Sequence, residues 1–312
     1  MHAVRLADAP DHAPPSLVLD DMPEPQPGPG DLLIRVCAAG VTAGELSWYP
    51  TTHRPDGQPR RHAVPGHEFS GIVAGVGAAA EGFATGSAVF GMNGWFADGA
   101  MAEFCVAPSS FVAAKPRTVS HAEAASLPIP ALTAWQGLYE HARLRPGETV
   151  LVHGGSGGVG VFAVQLARLH GARVVATASS RHAGFVSSLG AERVVDYTRV
   201  RFEEAVPPVD VVFDTVGGET LQRSWAVLKP DGRLVTVASD AEGSSDPRVR
   251  TAFFIVEPKP EQLTSVAELI DAGRLRPVVD LVAPLAQAPD VFAGKVARRG
   301  PGKAVIAIAG EG

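Results

Sequence analysis

The apolar residues of this chain change their spacing near residue 120. Before that point they come in short runs, such as Leu32-Leu33-Ile34-Arg35-Val36-Cys37 and Phe69-Ser70-Gly71-Ile72-Val73-Ala74-Gly75-Val76, with proline and glycine between them. Short β-prone runs broken by turn residues predict a β-rich, barrel-like domain. Within it Pro23-Glu24-Pro25-Gln26-Pro27-Gly28-Pro29-Gly30 reads as an extended surface connection, because proline fixes φ and removes backbone donors. From about residue 121 to 256 helical periodicity alternates with apolar runs, and strands are predicted at 150–153, 173–178, 193–196, 209–214, 233–238 and 253–256. Six strands alternating with helices predict a doubly wound parallel sheet, an α/β class. Beyond Pro258 a helix (261–272), a strand (278–282), another helix and a last strand (303–309) are too little for a third domain. They are assigned to the first, giving 1–120 with 257–312, and 121–256.

The first predicted sheet strand runs straight into glycines: Thr149-Val150-Leu151-Val152-His153-Gly154-Gly155-Ser156-Gly157-Gly158-Val159-Gly160, then the apolar helix start Val161-Phe162-Ala163. In a strand-to-helix turn of this kind Gly155 permits the tight turn, Gly157 lets the backbone approach a pyrophosphate, and Gly160 lets helix and strand pack closely. The helix N-terminus adds free N–H groups and a positive dipole end. The loop is therefore expected to hold a dinucleotide.

With 46% hydrophobic and 19% charged residues in 312, the chain fits a globular enzyme rather than a disordered one. A net charge of −6 without a dense basic stripe argues against a nucleic-acid partner; Arg60-Arg61 and Arg298-Arg299 read as solvated surface spots. No apolar run is long enough for a membrane span, and Met1-His2-Ala3-Val4-Arg5 lacks a signal-peptide core. Only Cys37 and Cys105 occur, each in a β-like apolar stretch, and the expectation is two reduced, buried thiols in a cytoplasmic protein.

The β-rich first domain, Gly66-His67-Glu68-Phe69-Ser70-Gly71, Leu132-Thr133-Ala134-Trp135-Gln136, the glycine loop, and Leu189-Gly190-Ala191 followed by Asp196-Tyr197 together resemble the medium-chain dehydrogenases/reductases over essentially the whole length. Within them Leu132–Gln136, Phe213-Asp214-Thr215-Val216-Gly217-Gly218 and Gly302-Lys303-Ala304-Val305 look most like the zinc-free quinone oxidoreductase branch. The resemblance implies a GroES-like barrel domain beside a Rossmann domain. It also implies cofactor contacts from Thr133, from Gly155, Ser156, Gly157, Gly158, Val159 and Gly160, from Val216 and Gly217, and from Phe254 and Lys303.

Gly66-His67-Glu68 matches the signature of zinc alcohol dehydrogenases, yet a catalytic zinc needs three protein ligands and an open position. Relative to that pattern Thr42 stands where the first cysteine ligand would be, Ile129 replaces the third ligand, and Gly44 takes the place of the Ser/Thr that starts the proton relay. Only His67 remains, with Glu68 or Glu45 as possible helpers; no metal site is predicted. His67 and Glu68 are expected instead to hold a loop at the domain interface by hydrogen bonds. Two cysteines also fall short of the four-cysteine lobe for structural zinc.

An Asp or Glu at the end of the second Rossmann strand would bond the ribose of NAD, whereas a 2′-phosphate needs donors and positive charge. Here Arg173-Val174-Val175-Ala176-Thr177-Ala178 runs into Ser179-Ser180-Arg181-His182 without an acid, so NADP(H) is the expected cofactor. The resemblance adds Tyr197 to Ser179, Ser180 and Arg181, while Asp196 reads as a turn residue. Without a Lewis acid, hydride suits a carbon already made electrophilic by conjugation, and the developing enolate needs hydrogen-bond donors. The expected substrate is a small hydrophobic enone, enal or quinone; the candidate donors are Thr42, Tyr49 and Lys303, in segments the resemblance places near the nicotinamide. Two alternatives stay open, a zinc-dependent alcohol dehydrogenase and a non-catalytic NADPH-binding protein of the crystallin type. The apolar run Thr251-Ala252-Phe253-Phe254-Ile255-Val256 is expected to be the last Rossmann strand, its open edge paired in a two-fold homodimer.

Overall fold

The computed structural model describes residues 1–8, 15–42, 44–298 and 300–309; Arg299, half of one predicted basic spot, lies outside them. The chain forms two units, Met1–Ile129 with Pro258–Gly312, and Pro130–Glu257. The first boundary falls nine residues after the expected one. The helix His121–Ala124, which opens with a capping box between Ser120 and Glu123, packs on the strands of the first unit and belongs to it.

The first unit holds β1 (His2–Leu6), β2 (Leu17–Asp21), β3 (Asp31–Val41), β4 (Glu68–Val76), β5 (Ala88–Met92), β6 (Phe104–Pro108) and β7 (Val112–Ala114). The second holds β8 (Thr149–Val152), β9 (Arg173–Ala178), β10 (Arg193–Asp196), β11 (Val209–Asp214) and β12 (Leu228–Thr236), and the tail returns to the first with β13 (Val279–Pro284) and β14 (Lys303–Ala307). In the first unit the sheet runs β13-β14-β3-β4-β5-β7, with β6 also paired to β3. It is antiparallel except for β13 beside β14. Ile34, Val36, Phe69, Val89, Met101 and Ile306 bury their side chains in its core.

The second unit is a parallel sheet in the order β10-β9-β8-β11-β12 with helices between its strands. Its central strands β8, β9 and β11 are buried on both faces, which is why they read as continuous apolar runs rather than alternations. Five strands form, not six. Residues 251–256 do not make the expected last strand: Asp246 caps and Pro247 starts a helix that carries Thr251 and Ala252 in its final turn, and the remainder makes one isolated bridge, Thr236 to Phe253. A capping residue followed by proline at the first helical position outweighs the β propensity of the apolar run that follows. Among the described residues no helix is long and apolar enough to cross a membrane, and Cys37 and Cys105 are buried and not joined in a disulfide.

Candidate active site and cofactor loop

In the first unit, strand register gathers three of the chemically capable side chains. Ala304 of β14 pairs with Val41 of β3, and Ala39 of β3 pairs with Phe69 of β4. Lys303, Thr42 and Glu68 therefore stand at the same end of three neighbouring strands. The Lys303 ammonium donates to Thr42 Oγ1 at 2.9 Å and forms an ion pair with the fully buried Glu68 carboxylate. Glu68 also accepts the Ile129 N–H at 3.0 Å and lies 3.4 Å from the Thr42 hydroxyl. Gly40 makes this possible, since a Cβ there would come within 2.6 Å of the Glu68 carboxyl. Burial pushes the Glu68 carboxyl up, opposed by Lys303 and the Ile129 N–H. Removing one partner of such a buried pair strands the other, at a cost of about 3–5 kcal/mol.

Beside it lies a second buried pair. Glu45 sits in the short helical turn Glu45–Ser47 after Gly44, whose φ of 82° is left-handed. Its Oε1 accepts the Gly66 N–H at 2.6 Å and contacts His67 Nδ1 at 2.6 Å; His67 Nε2 is 3.1 Å from the Trp95 carbonyl oxygen. Each ring nitrogen of His67 is thus already engaged by an oxygen. Trp95 in turn receives Trp48 edge-on, centroids 5.4 Å apart. Tyr49 is not part of this corner: it is 52% exposed and stacks on His53 at 4.7 Å. Among the described residues no three His, Cys, Asp or Glu side chains are grouped to hold a metal ion.

In the second unit β8 and β11 end side by side, where strand order reverses and ligands of such sheets bind. The left-handed position of the glycine loop is Gly154, φ 70°, not Gly155. Gly155 instead packs flat against β9, its missing Cβ 3.0 Å from the Ala176 Cβ. At Gly160 a Cβ would lie 2.1 Å from the Gly154 carbonyl oxygen, so helix Gly160–Leu169 can start there only with glycine. The N–H groups of Ser156, Gly158, Val159 and Gly160 meet no acceptor among the described residues. Four orphan donors at a helix start form an anion-binding cradle, and they fit a pyrophosphate.

Two buried side chains hold the flanks. His153 lies between the hydroxyls of Thr177 (3.1 Å) and Ser224 (3.0 Å), while Thr177 Oγ1 also accepts the Gly154 N–H at 3.2 Å. Asp214 accepts the N–H groups of Val216 and Gly217, each at 3.1 Å, and the Thr236 hydroxyl at 2.8 Å; burial pushes its carboxyl up. The loop of Val216 and Gly217 is thereby fixed beside the glycine turn, to which the Thr215 hydroxyl binds through the His153 carbonyl at 2.8 Å. Thr133 and Phe254 are buried, Phe254 stacked on His141 at 4.2 Å.

At the next strand ends, Ser180, Arg181 and Tyr197 are exposed. Parallel register sets Asp196 of β10 level with Ala178 of β9, so that Tyr197 and Ser179 are the residues that leave the two neighbouring strand ends. It also brings an acid that the end of β9 itself lacks. Asp196 takes the Thr198 hydroxyl at 2.7 Å and N–H at 3.0 Å, the turn role expected of it, and the Thr198 hydroxyl chiefly holds its carboxyl below the usual range, with Ser180 contributing.

Residues 28–117 match the family described as alcohol dehydrogenase GroES-like domain, and residues 189–306 the one described as zinc-binding dehydrogenase. The chain is 31% identical to a chloroplastic quinone oxidoreductase of Triphysaria versicolor over 92% of each chain. It is 30% identical to the chloroplastic NADPH-dependent alkenal/one oxidoreductase of Arabidopsis thaliana, covering 88% of this chain and 71% of that one. The chain belongs to the medium-chain dehydrogenase/reductase superfamily. A solved quinone oxidoreductase from Coxiella burnetii superposes with a TM-score of 0.86 at 29% identity over 99% of both chains, which with these relatives places this medium-chain dehydrogenase/reductase in the quinone-oxidoreductase-like branch. It is an oxidoreductase with a GroES-like and a Rossmann unit.

The pairing of Glu68 with Lys303, and of Glu45 with His67, escaped sequence reasoning. The available signal was two acids, Glu45 and Glu68, in otherwise apolar surroundings, each requiring a partner if buried.

Proposed function

We propose that the protein is an NADP(H)-dependent reductase of conjugated carbonyl compounds or quinones that works without zinc. The observation that carries the zinc-free part is the donor set. Of the three ligand positions only His67 bears a donor, and its ring is taken up by Glu45 and Trp95. Thr42 is bonded to an ammonium, and Ile129 is an apolar residue whose N–H serves Glu68. NADP(H) is supported by the four orphan N–H groups of the glycine loop, by Ser179, Ser180, Arg181 and Tyr197 at the neighbouring strand ends, and by relatives named for NADPH-dependent alkenal/one and quinone chemistry.

NADP(H), when bound, supplies the hydride. The chain's own part is to hold and polarise. The glycine loop would take the pyrophosphate, and Ser180, Arg181 and Tyr197 the 2′-phosphate. Thr42 supplies the hydroxyl: Lys303 donates to its oxygen, its proton is directed at Glu68 Oε1 over a long 3.4 Å contact and would turn from there to a developing oxyanion, and the ammonium behind it favours that negative charge. Glu68 keeps Lys303 in place. Tyr49 has no role in this arrangement.

The test is metal analysis combined with a panel of enals, enones and quinones followed by NADPH absorbance. The expected result is no stoichiometric zinc, activity that survives chelator, and a loss in Thr42→Val of about 2–4 kcal/mol in transition-state binding, seen in kcat with cofactor affinity unchanged. One zinc per chain lost together with activity, or oxidation of saturated alcohols with no turnover of the panel, overturns the proposal.

A further inference from the structure

Arg54, Asp56, Arg60 and Arg61 on one side and Phe96 and Asp98 on the other wall an open cavity of about 560 Å³ in the first unit. The chain that leaves Thr42 continues into one wall, and the other begins just after Trp95, whose carbonyl engages His67. Arg60, expected from the sequence to be solvated, is the brace between them. Its side chain is only 10% exposed, it donates to the Pro50 carbonyl oxygen at 3.0 Å and to Asp98 at 2.7 Å, and Asp98 accepts the Val64 N–H at 3.1 Å. The flanking arginines behave differently. Arg54 and Arg61 are exposed and make no side-chain hydrogen bond or ion pair among the described residues, Arg61 acting on Asp8 only through space.

The position of Arg61 is nevertheless specified. It precedes His62, a non-glycine residue at φ 56°, pinned by its ring nitrogen to Asp8 at 2.7 Å. Left-handed backbone at such a residue persists where its surroundings impose it, and it concentrates at binding sites. Asp56 is occupied in its own turn, accepting the Gln58 N–H at 3.1 Å. Three arginines against two aspartates leave one net positive charge around the cavity, on a chain whose net charge is −6. In the opposite wall Phe96 presents a 43% exposed ring. Two unpaired guanidinium groups beside an apolar ring, on a braced framework, recognise an anion attached to an apolar body.

Resting on the reductase reading of this unit, we propose that the cavity receives an anionic group, a carboxylate or phosphate, carried by the substrate on an apolar or aromatic body that lies against Phe96. The substrates taken best are then acidic conjugated carbonyl compounds, and the electropositive rim draws them to an otherwise acidic protein.

The probe is the para-carboxylate of benzylideneacetone, compared with its methyl ester, in the unmodified enzyme and in the double variant Arg54→Gln, Arg61→Gln. The acid should exceed the ester in kcat/KM, and the acid-to-ester ratio should fall about five- to tenfold in the double variant, as expected for two solvent-screened contacts. Calorimetric titration of the holoenzyme with the saturated acid should show a matching loss of affinity in the double variant. Equal use of acid and ester, or a ratio that survives the double variant, overturns the proposal. If neither compound is reduced, and no enal, enone or quinone of the wider panel either, the reductase reading fails. The titration then decides the cavity alone: affinity lost in the double variant upholds it, and absent or undiminished binding refutes it.

Discussion

Acidifying the protein from about pH 7.5 to about pH 5 should cost the second unit roughly 2 kcal/mol through one residue, His153. The ring is fully buried between two hydroxyls. Ser224 donates its own proton to the Thr220 carbonyl oxygen at 2.6 Å, so Nε2–H donates to Ser224 and Nδ1 accepts from Thr177, the pattern of a neutral imidazole. Burial, reinforced by the Arg223 guanidinium, pushes the ring down to about 3, against about 6.5 in an unfolded chain. A base whose folded value is depressed takes up its proton preferentially on unfolding, so stability is complete above about pH 6.5 and is lost as the pH falls towards 3. At pH 5 the unfolded ring is protonated about thirty to one, which gives the ~2 kcal/mol whatever the folded value below about 4. The measurement is urea unfolding at the two pH values, followed by the fluorescence of Trp135 and Trp225, for the unmodified protein and for His153→Gln. The variant is expected to be less stable at neutral pH but to lose about 2 kcal/mol less on acidification. Asp214, pushed up by burial, works in the opposite sense but is common to both proteins and cancels in the comparison. Equal losses in the two proteins would refute the assignment.

Gly160→Ala should weaken dinucleotide binding at least tenfold and lower the melting temperature of the second unit, because the new Cβ would lie 2.1 Å from the Gly154 carbonyl oxygen; calorimetric titration with NADPH that matches the parent protein would contradict the close approach. Arg181→Ala is expected to weaken NADPH by about 1.5–3 kcal/mol and to leave NADH unchanged, and an equal effect on both would remove Arg181 from the phosphate site. We propose that the expected two-fold dimer forms, with the run after Ala252, which makes a single bridge in one chain and leaves Ile255 54% exposed, becoming the sixth strand by pairing across the axis. Sedimentation as a monomer at micromolar concentration would count against it.

What could be read from sequence was what depends on neighbours along the chain. β9 and β11 fall at the expected residues because buried parallel strands declare themselves as unbroken apolar runs, and the glycine loop because a strand, a turn and a helix follow one another without interruption. Where two local signals overlapped, reading the apolar one alone failed: Phe253 to Val256 are β-prone, yet the helix set by Asp246 and Pro247 runs up to them. Long-range pairings were invisible for a different reason. The 261 positions between Thr42 and Lys303 are bridged only once β14 has settled beside β3, and no pattern near either residue encodes that register. Asp196 was legible as a turn residue, but its closeness to Ser180 was hidden the same way, since it belongs to the next strand. Arg60 read as surface because its two acceptors, Pro50 in the helical turn Tyr49–Thr52 and Asp98 in a later loop, lie far from each other along the chain.

The Lys303–Glu68 pair also governs what it would take to convert this protein into a metalloenzyme. Cysteines introduced at positions 42 and 129 would restore the missing ligands on paper, but a dication held by residue 42 would lie within roughly 5 Å of an ammonium, a repulsion of several kcal/mol at the effective dielectric of a protein site. Replacing Lys303 to relieve it would leave the Glu68 carboxylate, packed into the space that Gly40 opens, without its counter-charge. The two chemistries are therefore separated by a valley of unstable intermediates rather than by one or two substitutions. A designer crossing it would have to exchange cysteines, lysine and glutamate in a single step.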